Sequence, residues 1–304
     1  MFFSKTIARR LPVALCHLGL IVFLFSAAAF GQTSIAVNGS QSGLAFGGIG
    51  AISGGGGNSR LLFDYPSVQQ SEILDYLFKP GTGASLQILK VEIGGGADST
   101  DGSESSHEPV QGQIDCNTGY EWSLMEQAQA RNPNIKLYGL AWTAPGWLGG
   151  WYNTNSINYV VDWLKCAQSH NLNISYLGGL NEDGIGTASW WEQLRSTLNS
   201  DGFSSVQLVG GDQANWSIAD SLVSNSSWAS VMSVVGAHYP CSGSDGGNAD
   251  TCSTTANALA TGKPLWQSEG GSMDFNNGAP NVIRAIVRGY TDASMTAYIN
   301  WPLI

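Results

Sequence analysis

Two glutamates occupy positions suited to acid and nucleophile chemistry. Glu182 closes the apolar stretch SYLGGLNE that starts at Ser175, and Glu269 closes PLWQSE from Pro264. A carboxylic acid that protonates a leaving oxygen, paired with a carboxylate that attacks an anomeric carbon, cleaves a glycosidic bond with retention when the two groups stand about 5 Å apart. Either glutamate alone would serve equally well as a helix cap, so the weight rests on the pair. Asn181, directly before Glu182, adds to it. Its amide can hydrogen-bond the sugar 2-hydroxyl, a contact that strengthens in an oxocarbenium-like transition state. His238-Tyr239 ends the run VVGAHYP, and either side chain can hydrogen-bond the nucleophile and hold Glu269 ionised. Aromatic rings complete the set: Trp142 ends KLYGLAWT and Trp301 lies in AYINWPLI, while Trp147, Trp151 and Trp190 fall in the intervening loops. Sugar faces stack on such rings. Trp122, Trp163 and Trp228 sit within helical periodicity and are expected in the core.

The elements that must position these residues follow a regular alternation. Eight short apolar runs begin at Leu44, Leu86, Lys136, Ser175, Val206, Val234, Pro264 and Ala297. Seven segments with helical spacing lie between them, starting at Ser71, Tyr120, Ile157, Trp190, Trp216, Thr254 and Asn281. Strands that read as continuous apolar runs are buried on both faces, and one β–α alternation of this length predicts an α/β fold of the closed parallel (β/α)8 TIM-barrel type. Reactive residues then belong at the carboxyl ends of the strands, which is where Glu182, Glu269, Trp142 and His238 fall. An open doubly wound sheet is the weaker expectation. The glycines Gly54 to Gly57 are followed by Asn58, Ser59 and Arg60, which is no phosphate-binding signature, and they read as a flexible loop. No helix is legible after the eighth run, so the barrel is expected to be truncated there.

Lys5, Arg9 and Arg10 precede an uncharged apolar run from Leu11 to Phe30 that ends in small residues. This predicts a signal peptide over 1–31 and a catalytic domain over 32–304, in an exported protein. The first 31 residues contain three of the 13 basic residues and none of the 23 acidic ones. The acidic remainder excludes nucleic acid as a partner. Cys116, Cys166, Cys241 and Cys252 form an even set in an exported chain. The short Gly/Ser/Asp-rich loop between Cys241 and Cys252 favours that bridge, and Cys116 with Cys166 is the remaining pair. No zinc spacing is present, Asp98 and Asp101 lack an EF-hand's ligand set, and neither metal nor cofactor is expected. The loop holding those aspartates, GGGADSTDGSESSH, reads as sugar-contacting. Asn38, Asn173, Asn215 and Asn225 lie in glycosylation sequons.

The stretches GGIGAISGGGGNSRLL, STDGSESSH, LYGLAWTAPGWLG, NISYLGGLNE, VVGAHYP and GKPLWQSE together resemble the galactocerebrosidase family, glycoside hydrolase family 59, from Phe46 to Trp301. The resemblance implies a retaining β-galactosidase acting on galactosylceramide-like glycolipids or other β-galactosides, with Glu182 as acid/base and Glu269 as nucleophile. It further implies sugar contacts from Thr100, Trp142 and Asn181, with Gly48 and Trp301 lining the same pocket. Leu180 stands where the family carries an aromatic residue, and Gly270-Gly271 follow Glu269 in place of an acidic-aromatic pair. The family also implies β-sandwich and lectin-like domains after the barrel, a lysosome-like compartment in eukaryotes, and a lipid-presenting helper protein in animals. Two other readings remain: a related retaining barrel glycosidase acting on β-linked glucan, xylan or galactan, and a catalytically silent carbohydrate-binding barrel.

Overall fold

The computed structural model describes residues 36, 38–55, 58–241, 249–271, 276 and 278–304. The expected signal segment lies outside the described residues. Every named element falls within the unit Leu44–Ile304. In the separate unit Met1–Gly43, the Asn38 side chain accepts a hydrogen bond from the Ser40 backbone.

Eight parallel strands close into a barrel in sequence order. They are β1 (Gly48–Ile52), β2 (Ile88–Ile93), β3 (Lys136–Ala141), β4 (Ile174–Leu180), β5 (Gln207–Gly210), β6 (Val234–His238), β7 (Leu265–Gly270) and β8 (Met295–Asn300). Each overlaps one of the eight apolar runs. The ring closes where Gly48 pairs with Ala297 and Ala51 with Asn300. Inside it, Ile52, Ile88, Tyr138, Leu140, Val209, Trp266 and Ile299 pack together, while a larger apolar layer lies between strands and helices. This two-sided burial is why the strands read as unbroken apolar runs rather than alternating ones.

The outer helices are α1 (Ser67–Phe78), α2 (Glu121–Arg131), α3 (Thr154–Ser169), α4 (Ala188–Ser200), α5 (Ser217–Ser224), α6 (Ser226–Val231), α7 (Ala256–Ala260) and α8 (Ala279–Ala293). Seven correspond to the expected segments. The additional one, α6, arises because Asn225 ends α5 in an extended conformation and then caps a new turn by accepting from Trp228 N–H. Asn153, Thr187 and Thr255 cap α3, α4 and α7 in the same way. Trp122, Trp163 and Trp228 are buried in the core as expected. Trp151 and Trp190 correct the stacking expectation, because both are buried in that core as well. Trp190 belongs to α4, and its indole N–H donates to Asn153 O and Ser156 Oγ, which leaves it no face for a sugar. Trp147 is half-buried and donates to Glu108 O.

Both disulfides form: Cys116–Cys166 ties the loop after β2 to α3, and Cys241–Cys252 closes the segment after β6. Among the described residues, no helix is long and apolar enough to cross a membrane.

Candidate active site

The carboxyl ends of the strands are laced together by backbone hydrogen bonds. Asn181 N–H donates to Ala141 O, Glu182 N–H to Asp212 O, His238 N–H to Gln213 O, Tyr239 N–H to Glu269 O and Trp301 N–H to Gly270 O. This lacing sets the direction in which each strand end releases its side chain. Three of these residues leave their strands in the left-handed region, Glu182 at φ 54°, Asp212 at φ 52° and Tyr239 at φ 47°. Strained backbone of this kind in non-glycine residues persists where surrounding contacts over-determine it, and it gathers at functional sites.

Glu182, His238 and Glu269 converge so that one side-chain atom from each lies within 4.8 Å of the others. His238, its side chain fully buried, stands between the two carboxylates: Nδ1 is 2.9 Å from Glu182 Oε1 and 3.6 Å from Glu269 Oε2. Tyr239 OH donates to Glu269 Oε1 at 3.0 Å. The two glutamates differ in exposure, since the Glu182 side chain is 48% exposed and that of Glu269 is 10% exposed. The hydrogen bond from His238 is the main reason that Glu182 is held below its ordinary value. Burial works against protonation of His238, yet Asp212, Glu182 and Glu269 together raise it. Both shifts favour the imidazolium–carboxylate form of the pair. Asn181 Oδ1 is buried with no hydrogen-bond partner, an acceptor available to a ligand hydroxyl.

Thr100, Trp142 and Trp301 meet around Gly55. A Cβ placed on Gly55 would lie 3.0 Å from Trp142 Nε1, 3.3 Å from Trp301 Nε1 and 3.5 Å from Thr100 Oγ1. One on Gly54 would sit 2.4 Å from the Trp142 ring, so the two tryptophans close over a backbone that has no room for side chains. Trp301 Nε1 donates to Gly54 O at 3.1 Å, fixing its ring against this wall. Gly54 and Gly55, expected in a flexible loop, are thus packed against this wall, and Gly56 and Gly57 lie outside the described residues. Gly48 is not part of this group: it is the first residue of β1, paired with Ala297, and lies against the Gln87 side chain at the opposite end of the strand from Ile52. The glycines that face the site are the ones that follow β1.

Two residues that sequence reasoning passed over lie beneath the carboxylates. Lys90 on β2 and Asp212 after β5 form a fully buried ion pair at 2.9 Å. Lys90 Nζ also donates to Ser268 O and stands 5.5 Å from the centre of the Trp142 ring. Asp212 accepts from Tyr138 OH and from His238 Nε2, the latter at 3.5 Å. Burial alone would push Asp212 up, but Lys90, His238 and Tyr138 hold it well below the usual carboxylate range. Both residues carried a signal in the sequence: a lysine inside an apolar strand, and an aspartate ending the fifth run much as Glu182 ends the fourth.

A second acidic group borders this wall. Glu92 accepts from Gly55 N–H at 3.1 Å, Glu121 accepts from Glu92 N–H, and Glu104 accepts from the backbone of Tyr120 and Glu121 at the start of α2. All three glutamates are buried, and among the described residues none has a cationic partner. Burial pushes Glu92 up to about 8 and Glu104 up to about 7, and it holds Glu121 well above the usual carboxylate range.

Known structures with the same architecture include the catalytic domain of a GH30 xylanase C from Talaromyces cellulolyticus, with a TM-score of 0.66 and 22% identity over 88% of this chain and 70% of the other. An endo-β-1,6-glucanase gives a TM-score of 0.65 at 13% identity with the same coverage. At these identities the likeness concerns the fold. Sequence relatives come closer. A galactocerebrosidase from Danio rerio is 42% identical over 85% of this chain and 39% of its own length, and that of Homo sapiens is 42% identical over 85% and 37%. A putative galactocerebrosidase from Caenorhabditis elegans is 33% identical over 93% of the chain and 43% of its own. The chain thus spans about two-fifths of the length of these relatives. Residues 46–304 match the model of glycosyl hydrolase family 59, and the chain belongs to that family.

Proposed function

We propose that this chain forms the barrel of a retaining β-galactosidase that removes terminal β-galactosyl residues from glycolipids of the galactosylceramide type by double displacement. The observation that carries the reading is the approach of Glu182 and Glu269 within 4.8 Å at the ends of β4 and β7, with His238 between them. That spacing suits retention, since inversion needs room for a water between the carboxyl groups.

In the first step a Glu269 carboxylate oxygen attacks the anomeric carbon. The glycosidic oxygen leaves with a proton from Glu182. The Tyr239 hydroxyl, bound to the attacking carboxylate, keeps it oriented. In the second step Glu182 takes a proton from water, whose oxygen attacks the same carbon and releases Glu269. Glu182 must carry a proton first and lose it later, and its contact with His238 provides for both, because that proton can sit on either partner. Asn181 Oδ1 would accept the sugar 2-hydroxyl, and Trp142 and Trp301 would receive the sugar face beside Thr100. The specific lipid substrate rests on the names of the relatives. The two disulfides support an oxidising compartment, in keeping with an exported protein.

Removing each glutamate tests the assignment. Glu269→Gln should abolish turnover of every substrate. Glu182→Ala should lose roughly 10²–10⁴-fold on poor leaving groups while sparing 2,4-dinitrophenyl galactoside, and added azide should give a β-galactosyl azide. Equal losses of Glu182→Ala on both substrate kinds would overturn the acid/base role.

A further inference from the structure

We propose that Asp212 is the positioning residue of the acid/base pair, holding Glu182 both through its own backbone and through the imidazole of His238. The backbone hold is the 2.9 Å hydrogen bond from Glu182 N–H to Asp212 O. The side-chain hold runs from Asp212 Oδ1 to His238 Nε2 at 3.5 Å, and from His238 Nδ1 to Glu182 Oε1 at 2.9 Å. This inference rests on reading Glu182 as the acid/base.

The surroundings of Asp212 are built for this arrangement. Gly211, at φ 114°, passes so close to β6 that a Cβ there would lie 2.1 Å from Gly236 O. Gly178 leaves space on β4, where a Cβ would lie 3.0 Å from Asp212 Oδ2. Only glycine at both places leaves the room that this placement of the aspartate requires. Once there, it accepts from Lys90 Nζ, Tyr138 OH and His238 Nε2, so its carboxylate is fixed from three strands. An imidazole whose Nε2 is anchored in this way can turn only Nδ1 toward Glu182 and Glu269.

A carboxylate that served solely to neutralise buried Lys90 would satisfy the ion pair but would not influence proton transfer at Glu182. The charged and titratable groups facing His238 are Asp212, Lys90, Glu182 and Glu269, with the Tyr138 and Tyr239 hydroxyls nearby. Removing the Asp212 charge leaves Lys90 uncompensated, and both changes lower the proton affinity of the His238–Glu182 pair.

The test uses Asp212→Asn in the full chain, assayed on aryl galactosides of graded leaving-group ability across a pH range, beside Glu182→Ala and the combined variant. Loss of kcat/KM of ~100-fold is expected on poor leaving groups, with little loss on 2,4-dinitrophenyl galactoside. The basic limb of the pH profile should move to lower pH, and Asp212→Asn should add little once Glu182 is absent. If Asp212→Asn fails to fold, Lys90→Met/Asp212→Asn removes the ion pair together without leaving a buried charge, and the same leaving-group dependence is expected. Equal losses on all leaving groups with an unmoved basic limb would overturn the positioning role while leaving Glu182 assigned. Absence of leaving-group dependence in Glu182→Ala itself would instead overturn the functional reading on which this inference stands.

Discussion

The fold gathers two groups of carboxylates, and β2 contributes to both: Lys90 to one and Glu92, two residues on and so on the same face of the strand, to the other. Around Lys90, Asp212 pairs with the cation, and Asp212, Glu182 and Glu269 all approach His238. Around Glu92, the acids Glu104 and Glu121 accept from backbone N–H groups and, among the described residues, have no cationic partner. Burial raises the proton affinity of a carboxyl in both places. Its effect is reversed at Asp212, which is held down, and unopposed at Glu92 and Glu104, which rise to about 8 and about 7. How a buried acid behaves is thus decided by its neighbours more than by its depth. The neighbours of Asp212 favour its ionised form, whereas burial favours the protonated forms of Glu92, Glu104 and Glu121.

The strongest way to break this contrast is to remove the cation. Lys90→Met removes the buried cation from Asp212, which keeps only its contacts to His238 and Tyr138, and a loss of about 3–5 kcal/mol in folding stability is expected from denaturant melts, together with loss of activity. Glu92→Gln should behave in the opposite way at neutral pH, because it supplies the uncharged form that burial already favours. A Glu92→Gln loss as large as that of Lys90→Met would show that Glu92 is ionised in the folded protein.

A smaller effect separates the groups by pH. The folded protein retains protons on Glu92 and Glu104 that ordinary carboxylates in the unfolded chain have released. That stabilisation is complete at pH values below the ordinary carboxylate range and is lost as pH rises through about 7 and then about 8. His107, pushed down to about 4 by burial, acts in the opposite sense up to its ordinary 6.5, so the clean window lies above 6.5. His238, held protonated, adds to the fall. Stability from pH 6.5 to 8 should decline by up to about 1.4 kcal/mol per pH unit for each retained proton. Glu92→Gln should flatten the slope, and a flat wild-type profile would remove the basis of the comparison.

The smallest effect lies at the wall that the second group supports. Thr100→Val would leave a sugar hydroxyl unpaired, at a cost of about 1–3 kcal/mol in galactoside binding. Galactosides should suffer more than glucosides in a side-by-side measurement of kcat/KM. Equal losses would show that Thr100 does not read the sugar.

The strands, the helix order and the placement of Glu182, Glu269, Trp142 and Trp301 were legible because each follows from one local rule: an apolar run, then a polar or aromatic residue at its end. Lys90 and Asp212 were missed although both broke or completed such runs, since the partner that explains each is 122 residues away. Gly48 was misplaced because neighbouring glycines look alike in sequence, and only the point where β1 ends decides which of them face the site. Trp151 and Trp190 read as loop aromatics for a related reason. Whether an indole meets solvent depends on the helix packed over it, as α3 receives the Trp190 N–H at Ser156.

The seam between β1 and β8 orders how the molecule comes together. Gly48 and Ala297 pair across almost the entire barrel segment, and parallel contacts of such long range are slow to form. Lys90, Asp212, Glu182, His238 and Glu269 come from β2 through β7, so their part of the sheet can assemble while the seam is still open. The wall cannot, because Trp301 and Gly54 meet only across that seam. A chain arrested before closure therefore holds its acid pair without the surface that would orient a sugar, and recovery of activity on refolding should lag behind recovery of helix and sheet.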